Sequence, residues 1–242
     1  MVLMACQTCF RFDIAGMKRT IFFVTGTDTG VGKTVLTALV TRYLHNRGIN
    51  VAALKPICSG GRSDARVLYA ELDGALTLDE INPWHFRAPI APVLAARRES
   101  KKIKLPQVVV YLHAMQKRFD VVLIEGAGGL LSPLGEDFDS RDLIAAMCAE
   151  PIIVCPNRLG AVNQVLLTHE ALPRAQAAKA WVVLMSPPKA DTSTTINAGL
   201  LAEHFDRKRI FSLPWLGRRV DLARGLKNSQ VRRTLQKLAP AV

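Results

Sequence analysis

The fold of this chain is decided by the stretch Thr25-Gly26-Thr27-Asp28-Thr29-Gly30-Val31-Gly32-Lys33-Thr34. The stretch follows an apolar run, Ile21–Val24, and opens a helical pattern that continues to about Arg47. A strand, a glycine-rich turn, a Lys-Thr pair and a helix are typical of a phosphate-binding loop, because backbone N–H groups and the helix N-terminus converge on phosphate oxygens. In such a loop the lysine reaches the outer phosphates and the threonine hydroxyl binds Mg²⁺.

The spacing of this loop departs from the strict G-x-x-x-x-G-K-[ST] pattern at one position. Thr27 stands where the first glycine is expected, and Gly26 lies one residue too early. A structural turn is the alternative interpretation, but Gly-Lys-Thr at a strand-to-helix junction favours a nucleotide site. We therefore predict that the phosphates of a nucleotide contact Thr29, Gly30, Val31, Gly32, Lys33, Thr34 and Val35.

Short apolar runs between helical patterns predict the strands of the fold: Ile21–Thr25, Val51–Leu54, Val121–Ile124, Ile152–Cys155, Trp181–Met185 and Ile210–Leu213. Runs without polar alternation indicate strands that are buried on both faces. The fold class predicted is α/β, a single-domain P-loop NTPase fold with a mostly parallel sheet flanked by helices on both faces.

Length and composition suit one such domain, because 242 residues with 49% hydrophobic content can bury a full core. Residues 1–16 precede Met17, and we expect an extension that is disordered or that results from a misassigned start, leaving a domain at 17–242. The sequence contains no run of about 18 apolar residues, so no transmembrane helix is predicted. The five cysteines form no disulfide framework in a chain of this length, so a cytoplasmic location is expected.

The formal charge of +12 raises the possibility of a nucleic-acid partner. Lysines and arginines are scattered along the chain, however, with only a mild concentration after residue 200, and no signature of a nucleic-acid-binding fold is present. We therefore expect neither nucleic acid nor membrane as a partner, and instead a solvated basic face. The basic helical pattern from Val220 to Leu238 is expected to pack on the domain.

A proline-rich segment, residues 73–105, separates the second strand from the third. Only its Ala91–Arg98 portion has a helical pattern. We interpret the segment as a long insertion over the active face, because ligands of open α/β sheets bind beyond the carboxyl ends of the strands.

Charged residues follow two of these strands. Lys55 comes directly after the second strand and is fixed by Pro56; a lysine that merely ends the strand is the alternative. Glu125 ends the third strand, where a buried carboxylate is costly unless it meets a cation. Asp64 lies near the expected start of a helix, so a role as helix N-cap is the alternative to a role in binding a metal ion. Together, Thr34, Asp64 and Glu125 predict an oxygen shell for one Mg²⁺.

At these motifs the chain resembles the dethiobiotin synthetase family, over roughly residues 18–220. The matching segments occur in the family's order and spacing: Val24–Thr34, Lys55–Gly60, Ser63–Ala65, Asn82–Phe86, Val122–Gly129, Leu159–Asn163 and Leu213–Leu216. The resemblance implies an ATP- and Mg²⁺-dependent ligase that closes the ureido ring of dethiobiotin from 7,8-diaminopelargonate and carbon dioxide. The reaction would pass through a carbamate and a carbamic-phosphoric anhydride, as the penultimate step of biotin synthesis.

The resemblance also implies roles for the matching residues. Lys33 would hold the β- and γ-phosphates, Lys55 would stabilise charge on the carbamate and the transferred phosphoryl group, and Ser59 would hydrogen-bond the substrate. The family's metal ligands match Thr34, Asp64 and Glu125. Further nucleotide contacts are expected at Gly126, Ala127, Gly128, Pro214, Trp215 and Leu216. Family members are homodimers in which one chain helps to hold the substrate of the other, through the segment that matches Leu159, Gly160 and Asn163.

The chain departs from the family pattern in two places. The fifth strand ends in Leu184 and Met185 followed by Ser-Pro-Pro, where the family often has an Asn-Asp pair that touches the base. Weak selectivity among nucleoside triphosphates is therefore expected. Gly30 stands where other members have a glutamate, so any contact from that carboxylate to the amine is absent.

Two other classes of P-loop protein are alternatives. Partition-type ATPases act by nucleotide-gated dimerisation, but they have a signature lysine where this chain has Asp28. Amidotransferase-like relatives would require a following glutaminase domain with a cysteine nucleophile, and the sequence has none.

Overall fold

A computed structural model describes residues 19–217 and 220–239, so the predicted extension at 1–16 lies outside the described residues. Six parallel strands form the main sheet in the order β2-β5-β1-β6-β7-β8. The strands are β1 Thr20–Gly26, β2 Val51–Leu54, β5 Val121–Glu125, β6 Glu150–Pro156, β7 Trp181–Met185 and β8 Ile210–Leu213. Each strand predicted from an apolar run is therefore present, and the parallel arrangement is confirmed.

The helices are α1 Lys33–His45, α2 Ser63–Tyr69, α3 Leu78–Ile81, α4 Pro92–Arg98, α5 Leu105–Arg118, α6 Ser140–Ala146, α7 Ala161–Glu170, α8 Arg174–Ala177, α9 Thr192–Leu201, α10 Leu222–Lys227 and α11 Ser229–Leu238. A short 3₁₀ turn, Arg207–Arg209, precedes β8. Within the described residues, no helix is long and apolar enough to cross a membrane.

Alternate side chains of the strands pack into two cores, one on each face of the sheet. In β1, Ile21 and Phe23 enter the core shared with α2, α5, α6 and α7. Phe22 and Val24 enter the other core, which is shared with α1 and α11. Both faces of the sheet are thus covered by helices, which explains why the strand sequences are continuously apolar.

The last helices pack on the domain, as the sequence predicted. In α11, Val231, Leu235 and Leu238 are buried against the core that contains α1. The opposite face of α11 holds the charged residues. The basic helical pattern therefore belongs to the fold rather than to a separate surface helix.

The segment between β2 and β5 contains structure that the sequence did not predict. A second, two-stranded parallel sheet pairs β3, Ile57–Ser59, with β4, Trp84–Phe86. The short helix α3 lies between them, and its N-cap Thr77 forms a capping box with Glu80. The predicted helix at Ala91–Arg98 is present as α4, beginning one residue later.

Candidate nucleotide and substrate site

A cavity of about 710 Å³ opens at the carboxyl ends of β1, β2 and β5. It is lined by the loop after β1, the end of β2, the start of α2, the loop after β5 and part of the insertion: Thr29, Gly30, Gly32, Lys33, Thr34, Val35, Lys55, Cys58, Ser59, Gly60, Gly61, Ser63, Asp64, Pro89, Ile90, Ala91, Pro92, Glu125, Ala127, Gly128, Ser132 and Pro133. The position agrees with the rule for ligands of open parallel sheets.

The sheet register brings the charged strand ends together. Leu54 of β2 pairs with Ile124 of β5, so the next residues, Lys55 and Glu125, emerge side by side. Glu125 also pairs with Val24 of β1, immediately before the loop. The Lys55, Glu125 and loop positions thus meet because their strands are adjacent and parallel.

The phosphate-binding loop has the backbone geometry that its glycines permit. Gly32 caps α1 in the left-handed region, with φ of 102°. A Cβ atom at Gly32 would lie 3.0 Å from the side chain of Met185, at the end of β7. Any other residue at this position would be strained and crowded, so the loop requires glycine here.

Lys33 bridges the two loops at the cavity. Its ammonium group donates to the carbonyl oxygens of Asp28, at 2.8 Å, and Gly128, at 2.7 Å. Burial, followed by the positive charge of Lys55, lowers the pKa of Lys33 to about 8. Neither partner is an anion, so this ammonium is held by neutral carbonyls only.

Lys55 is held by two carboxylates inside the protein. Its residue exposure is 3%, and its Nζ atom lies 2.7 Å from Glu125 Oε1 and 3.1 Å from Asp64 Oδ2. It also donates to the carbonyl oxygen of Gly126, at 3.0 Å. Burial by itself lowers the pKa of Lys55, but the charges of Glu125 and Asp64 outweigh it and raise the pKa. Lys55 therefore stays protonated at the cavity wall.

The residues predicted as metal ligands lie around the same point. Thr34 donates its hydroxyl to Glu125 Oε1 at 2.8 Å, and Asp64 faces the same oxygen across Lys55. Glu125 Oε2 is buried and has no hydrogen-bond partner among the described residues. A buried carboxylate oxygen without a partner is unfavourable. Two carboxylates and a hydroxyl are the hard oxygen ligands that Mg²⁺ prefers, so these residues fit the ion.

The alternative role of Asp64 as a helix cap is not supported. Arg62 occupies the N-cap position of α2, without a side-chain cap bond, and Asp64 lies within the first helical turn. Its carboxylate instead pairs with Lys55. Because a negative charge is favourable at a helix N-terminus, this placement also suits α2.

The insertion forms one wall of the cavity. Ser59 Oγ donates to the carbonyl oxygen of Ile90 at 2.5 Å, and Gly60 N donates to Phe86 O at 3.1 Å. A Cβ atom at Gly60 would lie 2.8 Å from Pro89, so only glycine permits this close approach. The predicted substrate contact Ser59 therefore lines the cavity and also anchors its apolar wall.

Some predicted residues do not line this cavity. Val31 is buried under the loop, and Gly126 lies outside the lining but accepts a hydrogen bond from Lys55 with its carbonyl oxygen. The segment Pro214-Trp215-Leu216 follows β8 at the far edge of the sheet and does not line the cavity. Leu159, Gly160 and Asn163 lie at the start of α7, also outside the cavity of their own chain.

Other lining residues were not predicted from the sequence. Pro89–Pro92 and Ser132–Pro133 contribute to the wall opposite the phosphate-binding loop. The only signal for the first group was the high proline content of the insertion. Ser132 accepts a hydrogen bond from Gly129 N at 2.9 Å, a local turn contact that the sequence does not specify.

The chain is similar to known proteins over most of its length. The family model described as an AAA domain matches residues 20–220. A protein named ATP-dependent dethiobiotin synthetase BioD from Anaeromyxobacter sp. (strain K) is 40% identical over 198 residues, which cover 80% of this chain and 89% of that protein.

Proteins of the same name from other organisms are also similar. The one from Akkermansia muciniphila is 35% identical over 186 residues, covering 76% of this chain and 87% of its own. The one from Thermodesulfovibrio yellowstonii is 33% identical over 213 residues, which cover 81% of this chain and 88% of that protein.

The Mg²⁺ site can be tested without measuring activity. Glu125→Gln replaces a carboxylate with a neutral amide, a poorer ligand for a hard cation. We expect Mg²⁺ to bind the complex of this variant with a non-hydrolysable nucleoside triphosphate about tenfold or more weakly, measured by calorimetry. Asp64→Asn should behave in the same way.

Glu71→Gln is the matched control, because Glu71 is another buried carboxylate paired with a basic residue, Arg42, outside the cavity. Its Mg²⁺ affinity should equal that of the wild type. Unchanged Mg²⁺ affinity in both Glu125→Gln and Asp64→Asn would remove these residues from the metal shell.

Proposed function

Because this chain belongs to the family of ATP-dependent dethiobiotin synthetases, we propose that it closes the ureido ring of dethiobiotin at the cavity beside β1, β2 and β5. Its substrates are a vicinal diamine, 7,8-diaminopelargonate, carbon dioxide and a nucleoside triphosphate. The observation that supports this most directly is the pair of lysines, Lys33 and Lys55, at one cavity beside two carboxylates.

The reaction proceeds through three changes of bonding. One amine of the diamine attacks carbon dioxide and loses a proton, which gives a carbamate. A carbamate oxygen then attacks the γ-phosphorus, and the nucleoside diphosphate leaves. Finally the second amine attacks the carbonyl carbon of the mixed anhydride, phosphate leaves, and the ring closes. Each step needs positioning and charge neutralisation rather than a protein nucleophile.

The side chains at the cavity supply that neutralisation. Lys33 exchanges the neutral carbonyls of Asp28 and Gly128 for phosphate oxygens, which bind an ammonium more strongly. Lys55 faces the point where the carbamate oxygen meets the γ-phosphate and stabilises the charge that develops there. Ser59 hydrogen-bonds the diamine.

We assign Thr34, Asp64 and Glu125 as the residues that hold Mg²⁺. When bound, the ion neutralises charge on the phosphates. Glu125 would then have two functions: Oε1 keeps Lys55 in place, and Oε2, which has no hydrogen-bond partner among the described residues, would be free to bind the ion.

A homodimer would complete the substrate site, with Leu159, Gly160 and Asn163 of one chain reaching the substrate of the other. The proposal is supported by exposed apolar side chains on α7, on α9 and in the turn before α7, which we call the apolar surface of α7 and α9: Leu159, Leu167, Ile196 and Leu200. Leu159 is 82% exposed and Leu167 is 63% exposed, and Leu167 lies one helical turn after Asn163. Exposed apolar patches of this kind mark interaction surfaces.

The partition-type alternative is not favoured. The relatives, which the chain matches over most of their length, are named dethiobiotin synthetases. Asp28 occupies the position at which partition-type ATPases have their signature lysine. In addition, the basic C-terminal helix packs on the domain through its apolar face. We propose the cytoplasm as the location of the reaction, as expected from the cysteine content.

The proposed function is tested by phosphate release from purified protein supplied with a nucleoside triphosphate, Mg²⁺, diamine and bicarbonate. Phosphate should appear only when all components are present, and omission of the diamine or of bicarbonate should abolish it. Lys55→Ala should lower turnover by about 10² to 10³-fold while nucleotide binding stays largely intact, because Lys55 acts on charge that develops in the transition state. Lys33→Ala should weaken nucleotide binding itself.

Lys101→Ala is the control for loss of a lysine, because Lys101 is exposed and pairs with Glu99 outside the cavity. It should release phosphate at the wild-type rate. Release without the diamine, or near-normal turnover of Lys55→Ala at saturating substrate, would contradict the assignment.

Nucleotide selectivity is expected to be weak. At the end of β7, Met185 packs against the phosphate-binding loop, and its carbonyl oxygen already accepts from Asn157 N at 2.8 Å. Leu184 and Met185 carry no side-chain amide for the base, and the buried amide of Asn157 beside them already bonds to Thr194 O and to Asn197. Most affinity should therefore come from the triphosphate, which all nucleoside triphosphates share. CTP or GTP should support the reaction within about tenfold of ATP in kcat/KM, a difference of about 1.4 kcal/mol. A thousandfold preference for ATP would show that backbone groups select adenine.

The dimer is tested by the mass of the protein in solution. Leu167→Glu places a charge in the apolar surface of α7 and α9 and should shift the protein from dimer to monomer in light scattering after size exclusion. Val110→Glu is the control, because Val110 is 70% exposed and lies on α5, a different helix from α7 and α9. A wild-type monomer, or a dimer that persists in Leu167→Glu, would contradict the proposed interface.

A further inference from the structure

The chain leaves the main sheet at Lys55 and Pro56, between the end of β2 and the start of β3. At this corner the backbone groups lose their strand partners but stay buried, and buried backbone groups need hydrogen bonds. Lys55 N donates to Ile81 O at 3.0 Å, and Pro56 O accepts from Trp84 N at 3.0 Å. The remaining group, the carbonyl oxygen of Lys55, accepts from the side chain of Asn82 at 2.7 Å.

Asn82 is fully buried and lies outside the cavity. Its amide nitrogen faces the carbonyls of Lys55 and Pro56, and its amide oxygen accepts from Arg62 Nε at 3.2 Å and from Cys58 Sγ at 3.1 Å. Carbonyls on one side and donors on the other permit only this orientation of the amide. The amide nitrogen and the amide oxygen of Asn82 are therefore both hydrogen-bonded to residues at or next to the cavity wall.

Arg62 extends the hydrogen bonds of Asn82 towards Asp64, one of the two carboxylates beside Lys55. Its guanidinium donates to Leu78 O at 2.6 Å and to Asn82 O at 3.2 Å. Arg62 is the N-cap residue of α2, two positions before Asp64, whose carboxylate lies 3.1 Å from Lys55 Nζ. The Asn82–Arg62 pair thus joins the strand end that holds Lys55 to the helix start that holds Asp64.

We infer that Asn82 is a positioning residue for the proposed reaction: it fixes the carbonyl of Lys55 and, through Arg62, the start of α2, so that Lys55 Nζ stays between Glu125 and Asp64. The inference rests on the proposed function, because Lys55 is the group through which Asn82 acts. A displacement of about 1 Å at a reacting group can cost about 10²-fold in rate. Loss of Asn82 therefore affects the chemical step more than nucleotide binding, which depends on the loop after β1.

Two variants separate the contacts of Asn82. Asn82→Ala removes all of the side-chain contacts and keeps the backbone carbonyl that accepts from Arg62. Asn82→Asp keeps an acceptor for Arg62 but loses the donor to the Lys55 carbonyl, since an ionised carboxylate only accepts. We expect both variants to lower kcat by about 10- to 100-fold, with KM for the nucleoside triphosphate within about twofold of the wild type. The measurement is steady-state phosphate release with diamine and bicarbonate at saturation, together with thermal unfolding to establish that each variant is folded.

Tyr111→Phe is the matched control. Tyr111 donates its hydroxyl to the carbonyl oxygen of Glu80 in α3, so its loss loosens the same insertion without touching Lys55. Its kcat should stay at the wild-type value. Wild-type kcat in folded Asn82→Asp, or an equal loss of kcat in Tyr111→Phe, would overturn the inference. Failure of the proposed function would instead appear as absence of diamine-dependent phosphate release in the wild type.

Discussion

The structure of the site depends on one buried charge. Lys55 is 3% exposed, and transferring an ammonium group from water to the protein interior costs several kcal/mol unless anions meet it. Glu125 reaches it because β2 and β5 are neighbours in register, and Asp64 reaches it because α2 begins across the cavity. The sheet order, the corner after β2 and the start of α2 are all constrained by this single requirement.

The same arrangement is suited to a polyanionic ligand. Lys33 is held by two neutral carbonyls, whereas Lys55 is held by carboxylates. Under the proposed function, triphosphate oxygens would therefore compete easily for Lys33 but not for Lys55. One lysine is available for binding, and the other is kept at a fixed point on the wall. Because Glu125 Oε2 has no hydrogen-bond partner within residues 19–217 and 220–239, the carboxylate that fixes Lys55 would also have an oxygen for the proposed cation.

The sequence predicted the features that depend on strong local patterns. Apolar runs located every strand of the main sheet, and Lys55 and Glu125 were predicted as site residues from their places after strands. Asp64 was predicted as a metal ligand with a helix cap as the alternative. The strands β3 and β4 were missed, because three residues are too few for a periodic signal. Asn82 was part of a matching segment, but its hydrogen bonds join residues far apart in the chain, and nothing local to Asn-Pro-Trp specifies them. The helix-cap alternative for Asp64 could be decided only when its partner, Lys55, was located.

The insertion connects the wall of the cavity to the lysine behind it. Ile90 and Phe86 bond to Ser59 and Gly60, which continue the chain from the Lys55 corner through β3. The Ile81 carbonyl and the Asn82 side chain, from the same insertion, hold both sides of the Lys55 peptide. A ligand that presses on the apolar wall therefore acts on the element that positions Lys55. Since packed interiors shift as units rather than yield locally, a contact with this wall and the position of Lys55 are linked. Under the proposed function, binding energy from such a contact would thus contribute to the chemical step.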